Sequence, residues 1–143
     1  MSSCVSSSRQ CISFLLTPLC QIMMACSKLG AYFTLLNYAY SSAELNNALK
    51  VTSPKVMFAT ATTSRYDYRS MLASASHEIS SLEQIILLPS VSDPRATFTP
   101  SKGFMSYKDF LESHSHAAID LASAWRTVQD NNVSTLMFTS GST

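Results

Sequence analysis

The sequence predicts an α/β fold, a mostly parallel sheet flanked by helices. Three observations predict it. Short apolar runs alternate with stretches of helical periodicity along the chain. The runs are continuously apolar, as in "QIILL" at 84–88, which is how strands buried on both faces read. The helical stretches fall between the runs, where the crossovers of a parallel sheet belong.

Residues 19–29, "LCQIMMACSKL", predict a helix with Leu19, Ile22, Met23 and Cys26 on one face and a stop at Gly30. "AYFTLL" at 31–36 is a short β-prone run, and "NYAYSS" is a turn. The clearest helix spans 42–52. Ser41 and Glu44 have the spacing of a capping box, and Leu45, Ala48, Leu49 and Thr52 share one face. "PKVMFA" at 54–59 reads as strand. Tyr68, Met71, Leu72, Ala75 and Ile79 give helical spacing over 66–79, and 84–88 is the next strand. "PSVSDPRATFTPSKG" at 89–103 is a long surface loop. "SYKDFLES" at 106–113 is a short helix, with Ser106 and Asp109 spaced as a second capping box. Ala118, Leu121, Ala122 and Trp125 mark a helix over 118–125, and "STLMF" is the last strand.

Composition narrows the function classes. Of 143 residues 46% are apolar and only 13% charged, with a net charge of +1. Soluble domains average roughly 25% charged, so this chain suits part of a larger protein whose remainder covers much of its surface. Without a basic excess it does not read as a nucleic-acid binder. High apolar content at low net charge argues against disorder.

The cysteines, Cys4, Cys11, Cys20 and Cys26, are irregularly spaced and form no C-x-x-C. They read as reduced thiols, with neither a metal site nor a disulfide framework expected. "MSSCVSSSRQCISFLLTPLCQIMMAC" has no acid; the first is Glu44. It shares this with targeting peptides, but its positive charge is sparse, and Pro18 and Gln21 interrupt the apolar run. No window reaches the roughly 18 unbroken apolar residues of a membrane span. The expected location is the cytoplasm or an organelle, peroxisome or mitochondrion, with no secretion.

The chain closes on "STLMFTSGST". Small hydroxyl residues around a glycine, straight after a strand, suit a loop that wraps phosphate. Successive backbone N–H groups can face the oxygens when the side chains are small. Hydroxyls of Thr139, Ser140, Ser142 and Thr143 can add hydrogen bonds or help hold a metal ion that carries nucleotide phosphates. Gly141 permits close approach. Taken alone, such tails are commonly frayed termini.

"TLMFTSGST" resembles the start of the phosphate-binding signature of AMP-forming adenylating enzymes, the acyl-CoA synthetase and luciferase superfamily. That signature runs T-S-G-[ST]-T-G-x-P-K-G, and Thr139, Ser140, Gly141, Ser142 and Thr143 match its first five positions. Upstream, "ACSKLGAYFTLLNYAYSSAELNNALKVTSPKVMF" is similar to a family segment in which Ala25, Leu29, Gly30, Ala31, Leu36, Asn37, Glu44, Leu45 and Leu49 fall in register. "SYKDFLES" is like the helix often found before the signature. The resemblance covers about residues 19–143 in several ordered segments.

It implies an enzyme that joins a fatty or aryl carboxylic acid to the α-phosphate of ATP, releases pyrophosphate, and passes the acyl group to coenzyme A. ATP, Mg²⁺ and CoA are the cofactors implied for an intact enzyme, with Thr139, Ser140, Gly141, Ser142 and Thr143 against the outer phosphates. The sequence stops before G-x-P-K-G, without the loop lysine, the adenine and ribose segments or the C-terminal lysine. The expectation is therefore a partial N-terminal subdomain over 19–143, after a divergent or mispredicted start at 1–18. It would have no complete catalytic set, no tight binding of these cofactors, and the missing remainder of the domain as its partner. The alternative is a non-catalytic α/β interaction or regulatory module.

Other constellations read more plainly. His114 and His116 with Asp120 have the types for a metal or acid–base site, but sit in a Ser/Ala-rich loop that reads as solvent-facing, and His77 reads as helix surface. Tyr32, Phe33, Tyr38 and Tyr40 read as packing of strand and turn. Ser64, Arg65 and Arg69 read as solvated. No Ser/His/Asp nucleophile arrangement is defensible.

Overall fold

The computed structural model describes residues 9–90, 103–114, 120–126 and 128–139. In chain order the elements are α1 (Arg9–Lys28), β1 (Phe33–Leu35), α2 (Ser42–Thr52), β2 (Val56–Thr60), α3 (Arg69–Glu78), β3 (Gln84–Leu88), β4 (Phe104–Ser106), α4 (Tyr107–His114), α5 (Leu121–Arg126) and β5 (Thr135–Met137). Every strand pairing is parallel. The α/β class and the parallel sheet are as the sequence predicts. Among the described residues the strands form two sheets, however: β2–β3–β4 with β3 central, and a separate ribbon, β1–β5.

The larger sheet is covered on both faces, which is why β3 is apolar without alternation. Met57, Ala59, Ile85 and Leu87 join Leu45 and Leu49 of α2 and Leu72 and Ala75 of α3 in the main core. On β2, Phe58 turns edge-on to Tyr107 and Phe110 of α4, with ring centroids 6.5 and 5.9 Å apart. Ile86 and Leu88 are also buried. Across the α2–α3 contact the Asn46 amide donates to Glu78 at 2.7 Å.

Local chemistry sets the element ends. Ser41 and Glu44 form the predicted capping box, and Leu45, Ala48, Leu49 and Thr52 are the buried face of α2. At the other end Ser53 turns left-handed and its N–H bonds Leu49 O. α1 stops as predicted at Gly30. The Gly30 N–H donates to Ser27 O and the Ala31 N–H to Cys26 O, with Gly30 at φ +67°, the paired-bond ending that favours glycine.

Four sequence expectations change. α1 starts at Arg9 and continues through Pro18; that proline removes one helical hydrogen bond without ending the helix. α3 starts at Arg69, because the preceding residues make a tight turn. Thr63 N bonds Tyr66 O at 2.8 Å, and Thr62 bridges Asp67. β4 escaped the sequence reading because it is only three residues long and enters from a glycine; the Ile85 N–H bonds the Gly103 carbonyl at 2.8 Å. α5 begins at Leu121, where Asp120 Oδ1 accepts the Ser123 N–H at 3.1 Å. Residues 91–102 of the predicted loop at 89–103 lie outside the described residues, as do 118 and 119.

Candidate functional site

Ligand crevices of parallel α/β sheets form at the carboxyl ends of the strands. In the ribbon, Leu35 pairs with Met137, so β1 and β5 leave the sheet side by side. β5 runs on into Phe138 and Thr139, both exposed. Thr139, the first predicted phosphate-binding residue, therefore stands at the carboxyl end of the ribbon. Ser140, Gly141, Ser142 and Thr143 lie outside the described residues. Among the described residues β5 pairs on one side only, so it is an edge strand rather than a central one.

The companion exit, after β1, is a tightly bonded turn. Asn37 Oδ1 accepts the Ala39 N–H at 3.0 Å, and Asn37 O accepts the Tyr40 N–H at 3.3 Å, the side-chain-closed turn that asparagine favours. Leu36 and Tyr40 rest against the main core. The Tyr68 hydroxyl, at the entry to α3, donates to Tyr38 O at 3.0 Å. Ser90 Oγ, beyond β3, donates to Thr62 O at 3.1 Å. The exits of β1, β2 and β3 are thus tied together at one rim.

Aromatic rings and one ion pair line this rim. Tyr66 stacks on Tyr68 with centroids 5.8 Å apart and meets Tyr38 at 6.1 Å. Arg69 Nε donates to Asp67 Oδ1 at 2.9 Å. Those hydrogen bonds pull the Asp67 carboxyl down to about 2 and raise Arg69 in return. Arg69 is therefore paired with its neighbour Asp67 while staying solvent-exposed, as the sequence reading expects. Burial raises the Tyr68 hydroxyl, so it stays protonated and a donor at neutral pH.

The sequence model of the family described as AMP-binding enzyme matches residues 18–143, most of the chain. The chain belongs to that family. Its membership agrees with the strand that leads into Thr-Ser-Gly-Ser-Thr and with the parallel sheets flanked by helices. No curated protein and no solved structure matches the chain.

In this AMP-binding enzyme family member the other candidates have separate places along the chain. His114 ends α4, His116 lies outside the described residues, and Asp120 caps α5. His77 is exposed on α3. Among the described residues no three His, Cys, Asp or Glu side chains gather as a metal site would require. Cys20 and Cys26 are free thiols, and burial raises the thiol of Cys26. No described helix is long and apolar enough to cross a membrane. The Tyr32 hydroxyl bonds Thr52 O at 3.1 Å, joining the approach to β1 to the end of α2, a packing role as expected. A shallow cleft of about 200 Å³ lies between Gly30–Ala31 and 128–134. It lies at the amino ends of β1 and β5, opposite the end from which Thr139 leaves.

In the sequence Asn37 stands out only through the family resemblance, and Tyr68 only as one more helix-face residue. Neither was singled out as an organiser of the rim. The signal for Asn37 was present, since an asparagine directly after a β run commonly closes a turn. For Tyr68 none was, because its partner lies thirty residues away.

Proposed function

We propose that this chain supplies the phosphate-holding part of an AMP-forming acid–thiol ligase. The observation that carries the reading is the delivery of Thr139, first residue of the signature, at the carboxyl end of a parallel strand. ATP enters as its magnesium complex. Backbone N–H groups and hydroxyls of Thr139, Ser140, Gly141, Ser142 and Thr143 hold the β- and γ-phosphates, and hard hydroxyl oxygens suit the accompanying Mg²⁺. A carboxylate oxygen then attacks the α-phosphorus in line. The bond to the bridging oxygen breaks and pyrophosphate leaves. The thiol of coenzyme A next attacks the acyl carbon and AMP departs. The loop contributes positioning and charge stabilisation.

By itself the chain binds nucleotide weakly and turns nothing over. With a fatty or aryl acid present we expect no acid-dependent ATP–pyrophosphate exchange, and its detection in the purified chain would overturn that half of the reading. Millimolar MgATP is expected to slow amide exchange across 138–143, with adenosine having no effect. Equal protection by adenosine, or none by MgATP, removes the phosphate loop.

One observation favours a second reading, a non-catalytic α/β module: the β2–β3–β4 core is closed on both faces and suited to cooperative unfolding on its own. A partner captured equally well by the chain and by a variant lacking 139–143 would support it.

A further inference from the structure

Tyr68 is 3% exposed and packs in the main core with Leu45, Leu72 and Phe104. A phenylalanine would fill that space equally well, so the core has no use for the hydroxyl. A buried hydroxyl still needs a partner. It finds one outside its own element, on the Tyr38 carbonyl at 3.0 Å, in the turn that ends β1. β1 is three residues long, and among the described residues it is the strand on which β5 is laid. The last pair of that ladder is Leu35 with Met137, two residues from both Asn37 and Thr139. A displacement of the turn therefore reaches the exit of β5 through one rung.

We infer that Tyr68 is a positioning residue: its hydroxyl, acting through the Tyr38 carbonyl, fixes the point at which β5 hands the chain to the phosphate-binding residues. The functional meaning rests on the phosphate-loop reading above; the mechanical coupling does not. Leu36 and Tyr40 also anchor the turn by packing, so loss of the hydroxyl loosens it without detaching it. Asn37 completes the device from inside, since its side chain and carbonyl close the turn that presents Tyr38 O.

The test is Tyr68→Phe, which keeps the ring and removes the hydroxyl with its bonds to Tyr38 O and to the Thr63 side chain, read by amide hydrogen exchange of the full chain without nucleotide. Exchange should rise roughly fivefold at 38–40, the loss of one ordinary hydrogen bond, and by a smaller but resolved factor at 137–139. Amides of β3, at 85–88, should not change. Asn37→Ala, which loosens the turn by another route, should raise 137–139 as well. Unchanged exchange at 137–139 in both variants overturns the inference. So does a uniform rise that includes β3, because that is plain destabilisation. A second readout is the MgATP concentration that half-protects 138–143, expected to rise several-fold in Tyr68→Phe while the thermal midpoint barely moves. Absence of MgATP protection in the unaltered chain condemns the phosphate-loop reading alone, because the coupling is measured without nucleotide.

Discussion

β3 and β5 are both short apolar strands in parallel pairings, yet they sit in different surroundings. Ile85, Ile86, Leu87 and Leu88 are all buried. On β5, Leu136 and Met137 are exposed, Met137 at 77%, and Phe138 beyond them is 40% exposed. The difference is not in the strands. α2 and α3 lie on one face of the larger sheet and α4 on the other, whereas the ribbon has a free edge and an uncovered apolar face among the described residues. An apolar run therefore fixes a strand and its capacity for burial, and the neighbours decide whether that capacity is used.

The contrast can be broken most sharply by one pair of substitutions. Leu72→Ala, in the core under the larger sheet, should cost about 3 kcal/mol, whereas Met137→Ala on the ribbon should stay within about 0.5 kcal/mol; denaturant unfolding measures both. Comparable losses would mean that the ribbon is as closely packed as the sheet.

A smaller effect is expected at the entry to the ribbon. Gly30 has φ +67°, and an added Cβ would lie 3.2 Å from Val128 Cγ2. Gly30→Ala should cost about 1–2 kcal/mol from the left-handed backbone alone. If the ribbon is the less stable half, the loss should appear first as faster exchange at 33–35 and 135–137, with β3 unaffected.

The smallest effect concerns pH. Asp67 is held down to about 2 from 3.8 by Arg69. A carboxyl with a depressed native pKa stabilises the fold above its unfolded pKa and loses that contribution as pH falls through the native one. The contribution should be intact above pH 3.8 and fade down to about 2. Because the pair is solvent-exposed, Asp67→Asn should change the acid unfolding curve slightly, in that window only. A shift near neutral pH would contradict the assignment.

Much of the architecture is legible in the sequence because its causes are local. The capping box of α2, its buried face, the stop at Gly30 and the limits of β3 follow from hydrogen bonds and periodicities spanning a few residues. α3 and β4 were misjudged where the cause was distant or brief. The helical spacing of Tyr68 with Leu72 hid a turn closed by Thr63 and Asp67, and β4 is visible only through its pairing with β3. At the candidate site the signature and the strand before it were readable. The tie from Tyr68 to Tyr38 was not, since nothing in either local sequence announces the other.

By itself the sequence determined the parallel α/β class, both ends of α2 and the stop of α1, because backbone capping and side-chain periodicity act over short stretches of chain. Only the tertiary structure decided that the strands divide into a buried sheet and a half-covered ribbon, that β1 and β5 leave the ribbon together, and that a core tyrosine braces the turn beside them. Those outcomes depend on surfaces brought together from far apart, and long-range packing leaves no mark on any one segment.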